Sequence, residues 1–300
     1  DFERGARLEI TQSDAQRTKR AEPNVKTTDL AQVRATLWTA ADKRRANSSL
    51  SVGQFRAAIL GLVFLAYAEN RFDEVSAEIE ARASARNPPT PADYKAKSVL
   101  YLPELSRLSY LVDLPEADDL GKAVDEAIKG IEAHNAELKD VLPRGYSRLD
   151  RATLIELLRL FAPLPEQLGG DAFGLIYEDF LSNFAAQEGK GGGEFFTPYS
   201  IVRLIVEILE PFHGRVLDPA CGSGGMFVQS ANFVARHKRN PGSELSIYGQ
   251  EASRRTVPLA NMNLAVHGLG GDILEGNSYC EDRHDSVGKF DFVMANPPFN

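Results

Sequence analysis

From about residue 201 onward, short apolar runs of strand character alternate with helical segments, and no other feature restricts the fold of this 300-residue chain so much. The runs are RVLDPA, LSIYGQE, DILEGNS and FDFVMANPPF; the helical segments lie near Ile201–Leu209, Met226–Arg236 and Ser253–Val266. Strand-helix alternation at this spacing predicts a parallel, doubly wound sheet of Rossmann-like type. Ligands of such sheets sit at the carboxyl ends of the strands. All four runs end in polar, glycine-rich or proline-rich residues, so the chemistry is expected there.

The preceding part of the chain has a different period. Residues 1–26 are polar and aperiodic and read as a poorly ordered arm. From Thr28 the spacing turns helical through Leu30, Val33 and Leu37, with Asp29 where a helix N-terminus favours negative charge. A second helix opens at SVGQ, where Ser51 and Gln54 have capping-box spacing, and runs through Phe55, Ile59, Val63 and Tyr67. It is apolar nearly all round, which makes it central. NPPTP at Asn87–Pro91 interrupts the helices; LGKAVDEAIKGIEAHNAEL and RATLIELLRLF resume them. Residues 27–165 therefore read as an all-α domain, and 166–300 as an α/β domain introduced by the helix DAFGLIYEDFLSNFAAQ and the glycine run GKGGGEFFTP.

Composition excludes several function classes. A net charge of −8 argues against a sequence-independent nucleic-acid binder, which needs a basic face. Two cysteines, Cys221 and Cys280, make neither a disulfide framework nor a CxxC ligand pair, as suits a reducing cytoplasm and no structural zinc. The longest apolar run, Ala57–Ala68, is short of the ~20 residues a bilayer requires, so no membrane contact is expected.

Within the α/β part, DPACGSGGMF joins the first strand to a helix through Gly222, Gly224 and Gly225. Glycines allow a sharp turn and close approach of a ligand to the backbone, and the helix beyond presents N–H groups. Phe227 takes the third-glycine place of a dinucleotide fingerprint, which leaves that fingerprint incomplete. Asp218 at the strand end suits a ligand ammonium group better than a pyrophosphate. Glu251 ends the second strand, where a carboxylate can accept both hydrogens of a ribose diol. Asn277 ends the third and can pair with an adenine edge, or serve as a turn asparagine. In NPPF, Pro297 removes a backbone donor and fixes φ, and Pro298 restricts Pro297. The Asn296 side chain and the Pro297 carbonyl become two stiffly held acceptors able to grip an exocyclic amino group, and Phe299 offers a face for a flipped-out base.

DPACGSGGMF followed by NPPF resembles the amino-group methyltransferases that use S-adenosylmethionine. GGEFFTP ahead of the glycine loop is similar to the motif order of the gamma class of N6-adenine DNA methyltransferases. LWTAADKRRANSSLSVGQFRAAILGLVFLAYAENRFDE and GKAVDEAIKGIEAHNAELKDVLP resemble the N-terminal domain of the M subunit of type I restriction-modification systems. The resemblance implies a cofactor site of Glu194, Phe195, Thr197, Asp218, Ala220, Gly222, Ser223, Gly224, Glu251 and Asn277. Thr197 would meet the methionine carboxylate, Asp218 its amino end, Glu251 the ribose and Asn277 the adenine, although many relatives carry Asp at the position of Asn277. It further implies a target site of Asn296, Pro297, Pro298 and Phe299, direct methyl transfer to adenine N6 without metal, and assembly on DNA with a specificity (S) subunit, a second M subunit and a restriction (R) subunit. Four strands against the seven usual in such a sheet lead to the expectation of a C-terminally truncated domain whose last strand is an edge. Two rival readings remain at this point: a non-catalytic cofactor-binding assembly subunit, and a methyltransferase acting on protein glutamine.

Overall fold

The computed structural model describes residues 35, 39, 52–83, 88–163, 176–178, 180, 181 and 199–297. The polar arm at 1–26, Ser51 of the capping box and the glycine run with FFTP lie outside the described residues. Ala35 and Thr39 are helical, as the period from Thr28 implies.

The described residues of the first half include the helices α1 (Val52–Arg82), α2 (Pro91–Ala96), α3 (Leu108–Val112), α4 (Leu120–His134) and α5 (Arg151–Phe161), with three short 3-10 turns between them. Helix α1 is apolar on every side between Ala57 and Ala68, and its buried residues form the middle of a core with Val124, Ile128, Leu154, Leu157 and Phe161. The starts of α2, α4 and α5 are each capped by a side-chain oxygen that accepts from a backbone N–H. Asp119 accepts from Lys122 N at 3.0 Å and Asp150 from Thr153 N at 2.8 Å. At α2 the Asp93 side chain accepts from Thr90 N at 2.8 Å, and Pro91 fills the first helical position. The last proline of the cluster thus begins a helix.

The second half runs α6 (Tyr199–Leu209), β1 (Gly214–Asp218), α7 (Gly225–Arg236), α8 (Pro241–Glu244), β2 (Leu245–Glu251), α9 (Val257–Val266), β3 (Gly271–Glu275) and β4 (Phe292–Val293). The four strands form a parallel sheet in the order β3-β2-β1-β4. Sequence order runs outward from β1 to β3 on one side and jumps to β4 on the other. The chain therefore reverses direction across the sheet between β1 and β4, and a crevice opens at the carboxyl ends of strands at such a switch point. A second core fills the sheet side, with Val216, Phe227, Val234, Ile247, Leu264 and Met294.

Helix α9 starts four residues later than the sequence suggests. Ser253–Thr256 form a turn in which Glu251 accepts from Ser253 N at 2.8 Å and Thr256 N bonds Ser253 O at 2.9 Å. The Glu251 carboxylate holds Ser253 N in the turn before the helix begins. Helix α9 also joins the two halves: Leu259, Met262, Ala265 and Val266 belong to the helical core, while Ala260 and Leu264 belong to the sheet core. No described helix is long and apolar enough to cross a membrane.

Candidate functional site

The β1–α7 turn is shaped by two glycines in the left-handed region, Gly222 at φ +53° and Gly224 at φ +80°, where L side chains are strained. Gly224 caps α7. A Cβ at Gly222 or Gly225 would meet no atom within 4 Å, so the inner side of the turn faces open space. The loop is pinned from several directions. Cys221 N donates to Gln250 O at 3.0 Å, Gly222 N to Glu251 Oε2 at 3.0 Å, and Asn263 Nδ2 to Ser223 O at 2.9 Å.

Two carboxylates converge on this loop. Asp218 ends β1 at 2% exposure and accepts from Ala220 N at 2.9 Å. Burial pushes its carboxyl up to about 7 against the Ala220 hydrogen bond, and the Glu251 charge nearby adds to the rise. Glu251 ends β2 at 7% exposure, with its two oxygens on Gly222 N and Ser253 N. Among the described residues neither carboxylate is in an ion pair with a lysine, arginine or histidine. Cys221 lies between them, and burial together with both charges raises its thiol well above the usual range, which keeps it an inert SH.

The carboxyl end of β4 lies beside β1. Leu217 pairs with Val293, and Met294 N donates to Leu217 O at 3.0 Å. That register brings the segment Ala295–Pro297 to the end of β1, with Asn296 partly buried and Pro297 exposed. Pro298 and Phe299 lie outside the described residues, as do Glu194, Phe195 and Thr197. Asp218, Ala220, Gly222, Ser223, Gly224, Glu251 and Asn296 are thus gathered at one end of the sheet, around the switch point.

Asn277 follows β3 but is exposed, and its Oδ1 accepts from Tyr279 N at 3.0 Å. In this structure its side chain makes a turn. The neighbouring Ser278 instead reaches across, its hydroxyl donating to the Pro219 carbonyl and tying the β3 loop to the β1 turn. The long β3–β4 connection is held down by Gln250, which donates to Glu281 O at 2.9 Å and accepts from Arg283 N at 3.0 Å, and by His284, whose Nε2 lies 2.9 Å from Gly249 O. Ser278, Gln250, His284 and Asn263 had no signal in the sequence. Each acts across 31 to 59 positions, a distance over which spacing carries no information.

Two buried carboxylates without a cation beside an open glycine turn favour a ligand carrying positive charge, since burial of uncompensated negative charge is costly. A cationic ligand with an ammonium group and a ribose fits these residues. S-adenosylmethionine has both, along with a sulfonium.

Two family models match the chain, one described as N-6 DNA Methylase over residues 168–300 and one as HsdM N-terminal domain over residues 33–161. The chain is 38% identical over 284 residues to the type I restriction enzyme MjaIX methylase subunit of Methanocaldococcus jannaschii, a match covering 88% of this chain and 50% of that protein. It is 44% identical over 217 residues to the type I restriction enzyme HindI methylase subunit of Haemophilus influenzae, covering 66% of this chain and 48% of that protein. The chain spans about half the length of these curated relatives. The solved type I restriction-modification system methyltransferase subunit from Streptococcus thermophilus superposes with a TM-score of 0.66 at 19% identity, over 90% of this chain and 64% of that one. At that identity the likeness is one of fold.

Proposed function

Since this chain belongs to the methylase-subunit family of type I restriction enzymes, we propose that it carries the cofactor and target sites of a cytoplasmic DNA methyltransferase that modifies adenine at N6. The observation that carries the reading is the pair of buried carboxylates, Asp218 and Glu251, set at the glycine turn with the Asn296–Pro297 segment beside them. The domain boundaries proposed with it are an arm at 1–26, the helical domain at 27–165 and the methyltransferase part at 166–300.

Asp218 would hold the amino group of S-adenosylmethionine, Glu251 its ribose hydroxyls, and Ala220, Gly222, Ser223 and Gly224 would line the turn around it. Glu194, Phe195 and Thr197 complete the set from the sequence motif, and Asn277, whose Oδ1 accepts from Tyr279 N, would meet the adenine through its amide nitrogen. When bound, that cofactor supplies an electrophilic methyl group. The Asn296 side chain and the Pro297 carbonyl accept the two hydrogens of the adenine amino group. With both hydrogens drawn to one side, the nitrogen lone pair is released from conjugation with the ring and becomes nucleophilic; as the N–C bond forms, the C–S bond of the cofactor would break to leave a neutral thioether, and the nitrogen would lose one of its two hydrogens as a proton to solvent. Pro297 and Pro298 hold those acceptors in place, and Phe299 stacks on the flipped-out base. The decisive experiment is mass spectrometry of DNA incubated with the full-length protein, its specificity subunit and isotope-labelled cofactor. Labelled N6-methyladenine is expected; label on protein glutamine, or none, refutes the reading.

Glu251→Ala should weaken S-adenosylmethionine binding by roughly 10- to 100-fold, because charge-assisted hydrogen bonds to the ribose are worth about 1.5 to 3 kcal/mol. The Gly222 and Ser253 amides lose their acceptor as well, which acts in the same direction. Calorimetry giving an unchanged affinity would remove Glu251 from the site.

Sequence recognition in this scheme belongs to the specificity subunit, with two methylase subunits closing around the DNA and a restriction subunit joining the full assembly. A net charge of −8 gives the chain no overall attraction to the phosphates that position a reader in the groove. Alone it should bind duplex DNA no better than the non-specific range of ~10⁻⁴ to 10⁻⁶ M, with affinity falling as salt rises. Nanomolar, sequence-selective binding by the isolated chain in a fluorescence titration would make the helical domain a reader and overturn this division of labour.

A further inference from the structure

Asn263 sits in the middle of α9 at 2% exposure, in the stretch VPLANMNLAV, where the other polar side chain, Asn261, is only partly buried. Its Nδ2 donates to Ser223 O at 2.9 Å, on the cofactor turn 40 positions earlier. Its Oδ1 is buried without a hydrogen-bond partner among the described residues. An unpartnered buried acceptor costs stability, and a leucine of similar size would fill the same space without that cost. Packing therefore does not account for an amide here; its donor does.

The position of this donor matters because of what the turn can otherwise lean on. Gly222 and Gly224 have no side chains to anchor the loop, and the contacts from Gln250 and Glu251 fix only its β2 side. The α9 side is held by the Asn263 bond and by Ala260, whose Cα, Cβ and carbonyl oxygen would each lie 3.7 Å from a Cβ placed on Gly224. Helix α9 is itself stiffly held, since Leu259, Met262, Ala265 and Val266 are buried in the helical core while Ala260 and Leu264 are buried in the sheet core. A donor on an element clamped from both sides is a fixed reference point for the turn.

We infer that Asn263 is a positioning residue for the cofactor turn: it holds Ser223 in the conformation that binds S-adenosylmethionine, acting through the loop without touching the reacting atoms. The inference rests on the cofactor reading above. Preorganisation of this kind raises affinity by removing the ordering cost from the binding step.

Three measurements on the full chain test it in wild type, Asn263→Leu and Asn263→Ala: hydrogen exchange of the Gly222–Gly225 amides without ligand, thermal denaturation, and calorimetric titration with S-adenosylmethionine. Asn263→Leu should keep or raise the melting temperature, because it removes the unpartnered Oδ1. It should nevertheless speed exchange in the turn several-fold and weaken the cofactor by about 3- to 10-fold, the range for one neutral hydrogen bond. Asn263→Ala should show the same loosened turn with some loss of melting temperature. Wild-type exchange and affinity in both variants, or an affinity loss that appears only in step with lost melting temperature, would make Asn263 a packing residue and overturn the inference. A wild type that binds no cofactor, with the exchange difference still present, would refute the cofactor reading and leave Asn263 supported as the anchor of the turn.

Discussion

Replacing Asn296 by alanine in the complete enzyme, assembled with its specificity subunit, should lower methyl transfer by about 10²- to 10³-fold, the cost typical of losing one preorganised donor or acceptor at a reacting group. Cofactor affinity should stay near its wild-type value. The two effects separate because of where the residues sit. Asn296 follows β4, held to β1 through Met294 N and Leu217 O, whereas the glycine turn is held by contacts from β2 and α9. Removing the amide therefore deletes an acceptor for the target amino group and leaves Asp218, Glu251 and the glycine turn as they are. Single-turnover transfer of a labelled methyl group measures the first quantity and calorimetry the second. Transfer at the wild-type rate would end the proposed role for Asn296; a parallel loss of affinity would place Asn296 in the cofactor site instead.

The residues of this site were legible in the sequence to the extent that they sit where strands end. Asp218 and Glu251 close apolar runs of strand length, and the structure ends β1 and β2 on them. Helix α5 spans the segment RATLIELLRLF without a residue's difference, because Asp150 caps its start and the 3.6-residue period is unbroken to Phe161. Legibility fails where a residue's role depends on a partner far along the chain. Asn277 reads equally as an adenine contact or a turn residue, and the bond to Tyr279 N gives the turn. Asn263 lies among apolar residues with nothing in its spacing to mark it. Its partner Ser223 is brought near only when α9 packs on the turn.

The same limit applies to α9 as a whole. Its pattern VPLANMNLAV is apolar on nearly every face, which says that it is buried and not between what. Only the fold shows that one side closes the helical core and the other the sheet core. His267, just past its end, illustrates the consequence. Burial at this junction lowers its imidazole to about 4, while burial raises the carboxyl of Glu178, 3.7 Å away, to about 7. Those two groups shift stability with pH in opposite directions at the junction, and any reading of a single titrating residue elsewhere has to be made as a difference between variants.

Asp218→Asn provides that difference. A carboxyl with an ordinary value of 3.8 that stands at about 7 when folded holds its proton more tightly in the native state. Stability must then fall as pH rises from about 4 to about 7, by on the order of 4 kcal/mol in total, and stay low above that window. Asparagine keeps an oxygen for Ala220 N and has no charge to bury. Its own amide hydrogens need partners, so the variant should gain about 1 to 3 kcal/mol over wild type at pH 8, gain little at pH 4, and show a flatter profile between. Binding should move the other way. A ligand ammonium group favours the ionised carboxylate, so wild-type affinity for S-adenosylmethionine should rise from pH 6 to pH 8 with release of a proton. Asp218→Asn should lose that dependence and bind roughly 10- to 100-fold more weakly at pH 8. Urea denaturation across pH 4 to 8 reads the stability difference, and calorimetry in buffers of different ionisation enthalpy reads the proton. If Asp218→Asn is no more stable than wild type at pH 8, burial does not strain this carboxylate. If wild-type affinity is flat between pH 6 and pH 8 with no proton released, Asp218 does not receive the ammonium group, and the cation must be sought against Glu251 alone.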